Sequence, residues 1–155
     1  MTRAGSLAIL LGLLLLAGCG GGTAHGPAPK PMSRAAFVRA ANHACAVENR
    51  TNRIVTKKKP TSFSEVLQKF ERETTSFETV IVAFRRLTPP RADQARFNRL
   101  LRTLDTTDVT LHRFIDAAQA GHKTGVKVLL KQIKKETKQL NARAAGLGLR
   151  VCAKK

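Results

Sequence analysis

The sequence predicts an all-α fold, an up-down four-helix bundle. Three observations carry that prediction. Apolar residues recur at helical spacing in four separate stretches. One of these, Phe63, Phe70, Phe77 and Phe84, repeats every seven residues. The connections between the stretches are short and built from chain breakers: Lys57-Lys58-Lys59-Pro60, Leu87-Thr88-Pro89-Pro90 and Gly121. Amphipathic helices joined by short connections pack antiparallel to their neighbours in sequence.

The first helix starts at Ser33, whose hydroxyl suits an N-cap, and runs to about Val55. Phe37, Ala41, Ala44, Cys45, Asn52 and Val55 share one broad face. Small residues around Cys45 leave room for another segment to approach. The second helix opens on Ser62-Phe63-Ser64-Glu65, a capping box in which serine and glutamate satisfy each other's free N–H groups. Its phenylalanines, with Thr74 and Ile81 between them and Val66 and Leu67 in the first turn, follow a period of about 3.5 residues. That is the seam of a helix packed in a bundle, favoured over a lipid-binding wall. The third helix spans about Ala92 to Ala120 with Phe97, Leu101, Leu104, Leu111, Ile115 and Ala118 inward. Asp108 falls in that row and is expected to pair with a basic residue or to lie at the seam's edge. The fourth begins near Thr124 and carries Val126, Leu130, Ile133, Thr137, Leu140 and Ala144. Gly146 and Gly148 stop it, and the tail Leu149-Arg150-Val151-Cys152 can turn back toward the first helix.

Ahead of the helices, Arg3 precedes an apolar run, Leu7 to Leu16, broken only by Gly12. The run is shorter than the about 20 apolar residues of a membrane-spanning helix. It fits the roughly 7–15-residue apolar region of a signal peptide. Its last residue opens Leu16-Ala17-Gly18-Cys19, which resembles the lipobox of bacterial lipoproteins. The resemblance implies cleavage before Cys19 and a diacylglycerol, carrying acyl chains such as palmitate, on its thiol. It implies an extracytoplasmic location, anchored to the membrane by lipid and needing no other cofactor. An ordinary secretory signal is the nearest alternative, since Ala17 and Gly18 also suit a general signal peptidase. The cysteine at the first mature position favours the lipobox. The expected organisation is a signal peptide at 1–18, a Gly/Pro tether at 19–32 and a bundle domain at 33–155.

Residues 19–155 hold 27 basic and 10 acidic residues, a formal +17. Such a charge favours anionic surfaces. On the outside of a cell these are lipid headgroups and wall polymers rather than nucleic acid. The chain has no Trp or Tyr, and most of its seven Phe sit at core spacing, which disfavours stacking platforms for bases or sugars. From Gly121 onward ten basic residues face one acid, Glu136. Lys123, Lys127, Lys131, Lys134, Lys135 and Lys138 form a stripe on the fourth helix. From Ser62 to Phe84 four glutamates face Lys69 and Arg72, so the second helix is net acidic. The stripe is either a docking face for the anionic membrane or a solvated surface.

With Cys19 assigned to lipid, Cys45 and Cys152 remain, an even pair in an oxidising compartment, and one disulfide between them is the simplest account. A redox or metal role is disfavoured, because neither a C-x-x-C nor a neighbouring His/Cys set is present. His25, His43, His112 and His122 are not spaced as a helical metal pair, so no metal site is expected. No phosphate-cradling loop, nucleophile elbow or converging carboxylate pair is legible either, so the reading is non-enzymatic. Glu71 and Glu78 look like surface groups flanking phenylalanines. Asn49-Arg50-Thr51 matches a glycosylation sequon, to which the resemblance to bacterial lipoproteins gives no consequence.

Three segments together resemble a group of small secreted proteins and lipoproteins of actinobacteria. They are Ala41-Asn42-His43-Ala44-Cys45 with Asn49, then Leu87-Thr88-Pro89-Pro90, then Gly148-Leu149-Arg150-Val151-Cys152. The resemblance covers about residues 33–153 and implies a helical domain with a terminal disulfide, but no catalytic residues. Two functional readings follow. One is an envelope lipoprotein that binds anionic lipid, wall polymer or a protein partner through its basic face. The other is a carrier or inhibitor module that holds an apolar ligand inside the bundle. An uncharacterised hydrolase is the least supported. A large apolar cavity favours the carrier, and a cluster of acid and histidine favours the hydrolase.

Overall fold

The computed structural model describes residues 30–55 and 59–153. Cys19, the signal segment 1–18 and most of the tether 19–32 lie outside the described residues. Four helices make up the domain: α1 Arg34–Val55, α2 Phe63–Arg85, α3 Gln94–Gln119 and α4 Lys123–Gly146. A short 3-10 turn, Arg91–Asp93, leads into α3. This is the four-helix bundle expected from the sequence. Each helix packs on the next, α1 on α2, α2 on α3 and α3 on α4. Among the described residues no helix is long and apolar enough to cross a membrane.

Local chemistry sets the helix ends. Ser33 accepts from Ala36 N–H at 3.3 Å. Ser62 accepts from Glu65 N–H at 3.2 Å, as the capping box predicts. The Glu65 carboxylate reaches back to Thr61, accepting from its N–H at 2.6 Å, so the reciprocal half lands one residue earlier than expected. Both α3 and α4 end in a Schellman motif around a glycine with positive φ. Gly121 has φ 70° and Gly148 has φ 76°. In α4, Gly148 N–H donates to Ala145 O and Leu149 N–H to Ala144 O, each at 2.9 Å. A Cβ at either glycine is strained in this conformation.

The core joins all four helices: Phe37 and Ala41 from α1, Val80, Ile81 and Phe84 from α2, Phe97, Leu100 and Leu104 from α3, Leu140 and Ala144 from α4. Leu147 and Leu149 of the tail are fully buried. Phe97 meets Phe37 edge-on at 5.2 Å and Phe84 at 6.0 Å. Arg34 pairs with the buried carboxylate of Asp93, tying the start of α1 to the turn before α3. Met32 N–H donates to Thr88 O at 2.8 Å, so the predicted tether ends in contact with the bundle.

Two expectations about faces need correction. Phe63 is 64% exposed rather than inward. Glu71 of α2 already faces Gln119, the last residue of α3. Residues eight positions earlier extend about 12 Å further, past the end of α3. In α3 the buried face is rotated toward Leu100, Thr103, Thr107, Thr110 and Phe114, leaving Leu101, Leu111 and Ile115 half-buried. Helix α3 has two neighbours, so its buried surface is wider than one apolar stripe. The threonines fit because Thr103, Thr107 and Thr110 return their hydroxyls to carbonyls four residues back.

Candidate functional site

The sides of the bundle are not equivalent. Among the described residues, α1 and α4 do not approach within 8 Å, Cα to Cα. The C-terminal tail bridges them. Cys152 is bonded to Cys45 of α1, with Cα atoms 5.2 Å apart, as the cysteine reading expected. Val151 N–H donates to Asn42 Oδ1 at 3.0 Å, and Asn49 Nδ2 donates to Val151 O at 3.4 Å. Asn42, Cys45 and Asn49 of α1 therefore dock the tail, whereas His43 lines the hollow between α1 and α2.

Between the helices lies a half-enclosed cavity of about 220 Å³. Its apolar wall includes Phe70, Phe77, Val80, Leu104, Ile133 and Leu140. The disulfide forms part of its lining. Polar groups also face it. Thr74 is 3% exposed, and its hydroxyl has no hydrogen-bond partner. Asn52 Oδ1 is likewise buried without a partner, although its Nδ2 donates to Glu48 Oε1 at 3.2 Å. Glu48 and Glu73 line the same space. Buried polar groups are usually paired with protein or water, so these two atoms offer hydrogen bonds to whatever occupies the cavity. A wider hollow lies between α1 and α2, lined by small residues such as Ala40, Ala44, Ser76 and Ala83. It is the more open of the two, and none of its lining side chains carries an unpaired buried polar atom.

The six stripe lysines, Lys123, Lys127, Lys131, Lys134, Lys135 and Lys138, are all exposed. They occupy the side of α4 turned away from Ile133, Leu140 and Ala144. Glu136, the one acid of this region, is 7% exposed and lies inward, so it does not interrupt the stripe. Gln132 Nε2 donates to its Oε1 at 2.9 Å, and the Thr110 hydroxyl lies 3.2 Å from the same oxygen. Its other oxygen has no partner. Glu48 and Glu136 as buried acids were not anticipated, because glutamate on a helix reads as a solvated residue until its neighbours are known.

On the α2–α3 side the structure brings together Glu78, Asp108 and His112, one ligand atom from each within 4.8 Å of the others. Asp108 is at the seam's edge, as expected. Asp108 and His112 are one helical turn apart on α3, a spacing that places both on one face. Glu78 arrives from α2. No local pattern in the sequence links it to the other two.

No family model matches the chain, and no characterised protein or solved structure is detectably similar to it. The fold and its open side therefore define the protein: a disulfide-clasped four-helix bundle with an accessible interior.

Proposed function

We propose that the protein is a non-enzymatic carrier on the outer side of the cell membrane, tethered by lipid at Cys19 and holding a small neutral amphiphile in its bundle. The observation that carries the reading is the cavity of about 220 Å³ lined from all four helices, with an unpaired buried hydroxyl at Thr74. A dry apolar cavity of about 150 Å³ accepts benzene. The space here suits a single ring system or a short acyl segment, and it is below the roughly 300–1,000 Å³ typical of drug-sized ligands. Glu48 and Glu73 disfavour an anionic head. Thr74 and Asn52 offer hydrogen bonds to a hydroxyl or amide. Decanol is therefore a suitable probe and decanoate its control.

Thr74→Leu tests this. The larger apolar side chain fills part of the cavity and removes the unpaired hydroxyl. The wild type should bind decanol in a ligand-observed NMR titration, and the variant should bind at least about tenfold more weakly, the equivalent of 1.4 kcal/mol. The variant should also be more stable, by about 1 kcal/mol, since a buried unpaired polar group is costly. A wild type that ignores decanol overturns the carrier reading.

A second reading is favoured by the uninterrupted lysine face of α4. It is a docking surface for anionic lipid or wall polymer, with each lysine worth up to about 1 kcal/mol near an anionic membrane. Replacing Lys127, Lys131, Lys134 and Lys138 with Gln should weaken binding to phosphatidylglycerol vesicles. Binding of the parent should fall steeply with salt, because screening acts over about 10 Å at 0.1 M. Exposed Lys-to-Gln changes move stability by under about 0.5 kcal/mol, so the thermal midpoint should stay nearly constant. Equal binding by variant and parent makes the stripe a solvated face. Both readings are compatible with one molecule, since the cavity and the stripe lie on different sides of α4.

A further inference from the structure

We infer that Glu78, Asp108 and His112 form a binding site for a divalent transition-metal ion, with zinc as the ion of best-matched chemistry. The site is independent of the cavity and of the lysine stripe. His112 Nδ1 lies 3.0 Å from the backbone oxygen of Asp108. A carbonyl oxygen only accepts, so Nδ1 carries the hydrogen of that bond. The ring is thereby held with Nε2 directed toward α2. There Nε2 meets Glu78 Oε1 at 3.2 Å. In the neutral ring Nε2 presents a lone pair, and the carboxylate opposite presents another. Two acceptors at this distance require a cation between them, either a proton or a metal ion.

Three features favour the metal. First, bonds of about 2.0–2.2 Å to His nitrogen and carboxylate oxygen in tetrahedral geometry place neighbouring ligand atoms about 3.3 Å apart. Nε2 and Oε1 already have that separation. Second, a ligating histidine commonly donates its other N–H to a carbonyl or carboxylate, which fixes its orientation. His112 does so through Asp108 O. Third, Asp108 Oδ1 is buried with no hydrogen-bond partner and lies 3.9 Å from His112 Nδ1, too far for a hydrogen bond. A carboxylate oxygen of Asp108 already lies within 4.8 Å of the ligand atoms of the other two residues.

One imidazole and two carboxylates suit zinc among the first-row divalent ions, and the hard-oxygen set that calcium prefers is incomplete. His112 is about half exposed, which leaves water access to the remaining coordination positions. The ion links α2 to α3, so its binding reports on the folded state.

The test is a calorimetric titration of the chelator-treated full chain with Zn²⁺, with thermal unfolding measured in parallel. The wild type takes up one equivalent, and its midpoint rises with zinc concentration, because a ligand that binds only the folded form stabilises it. His112→Gln and Glu78→Gln each weaken the affinity at least about tenfold and abolish the midpoint shift. Both positions are partly exposed, so the variants fold, and far-ultraviolet circular dichroism verifies it. If the wild type takes up no zinc, the cation between Nε2 and Oε1 is a proton and the inference fails. Uptake retained by both variants places zinc elsewhere, at His25, His43 or His122, and equally overturns it.

Discussion

Removing the Cys45–Cys152 bond, by reduction or by Ala at both positions, should cost about 2–5 kcal/mol of stability. The bridge spans 107 residues, almost the whole described domain. In the chain-entropy account a loop near that length contributes about 4.7 kcal/mol, with real proteins falling at or below this value. The structure adds a second reason for a large effect. Among the described residues no Cα of α1 comes within 8 Å of one in α4, and the tail ties the two together covalently through Cys152 and Cys45. Without the disulfide the tail is left with the two hydrogen bonds of Val151 to Asn42 and Asn49, and with the buried side chains of Leu147 and Leu149. At about 4 °C per kcal/mol for a domain of this size, the thermal midpoint should fall by about 8–20 °C. Thermal circular dichroism with and without reductant measures it. Free thiols at Cys45 and Cys152 in the unreduced protein, or an unmoved midpoint, would contradict the assignment. The same two cysteines line the cavity, so reduction should also weaken retention of decanol.

The architecture was legible because its determinants are local. Helix starts are written in Ser33 and Ser62, and helix stops in Pro89-Pro90, Gly121 and Gly148. Each of these acts within about one turn of chain. The disulfide was legible for a different reason, since Cys45 and Cys152 are the two cysteines left once Cys19 is expected to carry lipid, and two cysteines allow one pairing. The buried face of α3 was less so. Thr103, Thr107 and Thr110 count as polar in a periodicity argument, yet their hydroxyls are satisfied within the helix and their methyl groups pack inward. The seven-residue phenylalanine repeat named the right face of α2 but not where that face ends, which depends on the length of its neighbours. The candidate sites were the least legible. Glu78 reaches His112 only because α2 and α3 pack in one register. Thr74 lines a cavity only because the side chains of four helices leave a gap there. Both are relations between helices, and a single sequence records them nowhere.

Charge reads differently from either. The lysine stripe was visible at once, because lysines four apart share a helix face and nothing in the fold buried them. What the fold contributed was the position of Glu136. Drawn inward between α3 and α4, it leaves the outer face of α4 cationic without interruption.

Replacing Cys19 with Ala should move the protein out of the membrane fraction or leave it as an uncut precursor. The size of this effect follows from comparing the two attachments proposed. Each buried methylene of an acyl chain contributes about 0.8 kcal/mol, so one chain holds a protein marginally and two hold it stably. The lysines contribute up to about 1 kcal/mol each, and at 1 M salt the screening length shrinks to about 3 Å, which removes most of that attraction. A high-salt wash therefore separates the contributions. The wild type should stay with the membrane in 1 M salt. The processed Cys19→Ala protein should leave it, and the four-lysine variant with Cys19 intact should stay. Mass spectrometry of the wild-type N-terminus supplies the covalent check. A mature chain beginning at Cys19 and carrying a diacylglycerol mass is the expected result, whereas a chain beginning at another, unmodified residue would remove the anchor and leave the lysine stripe as the one route to the membrane.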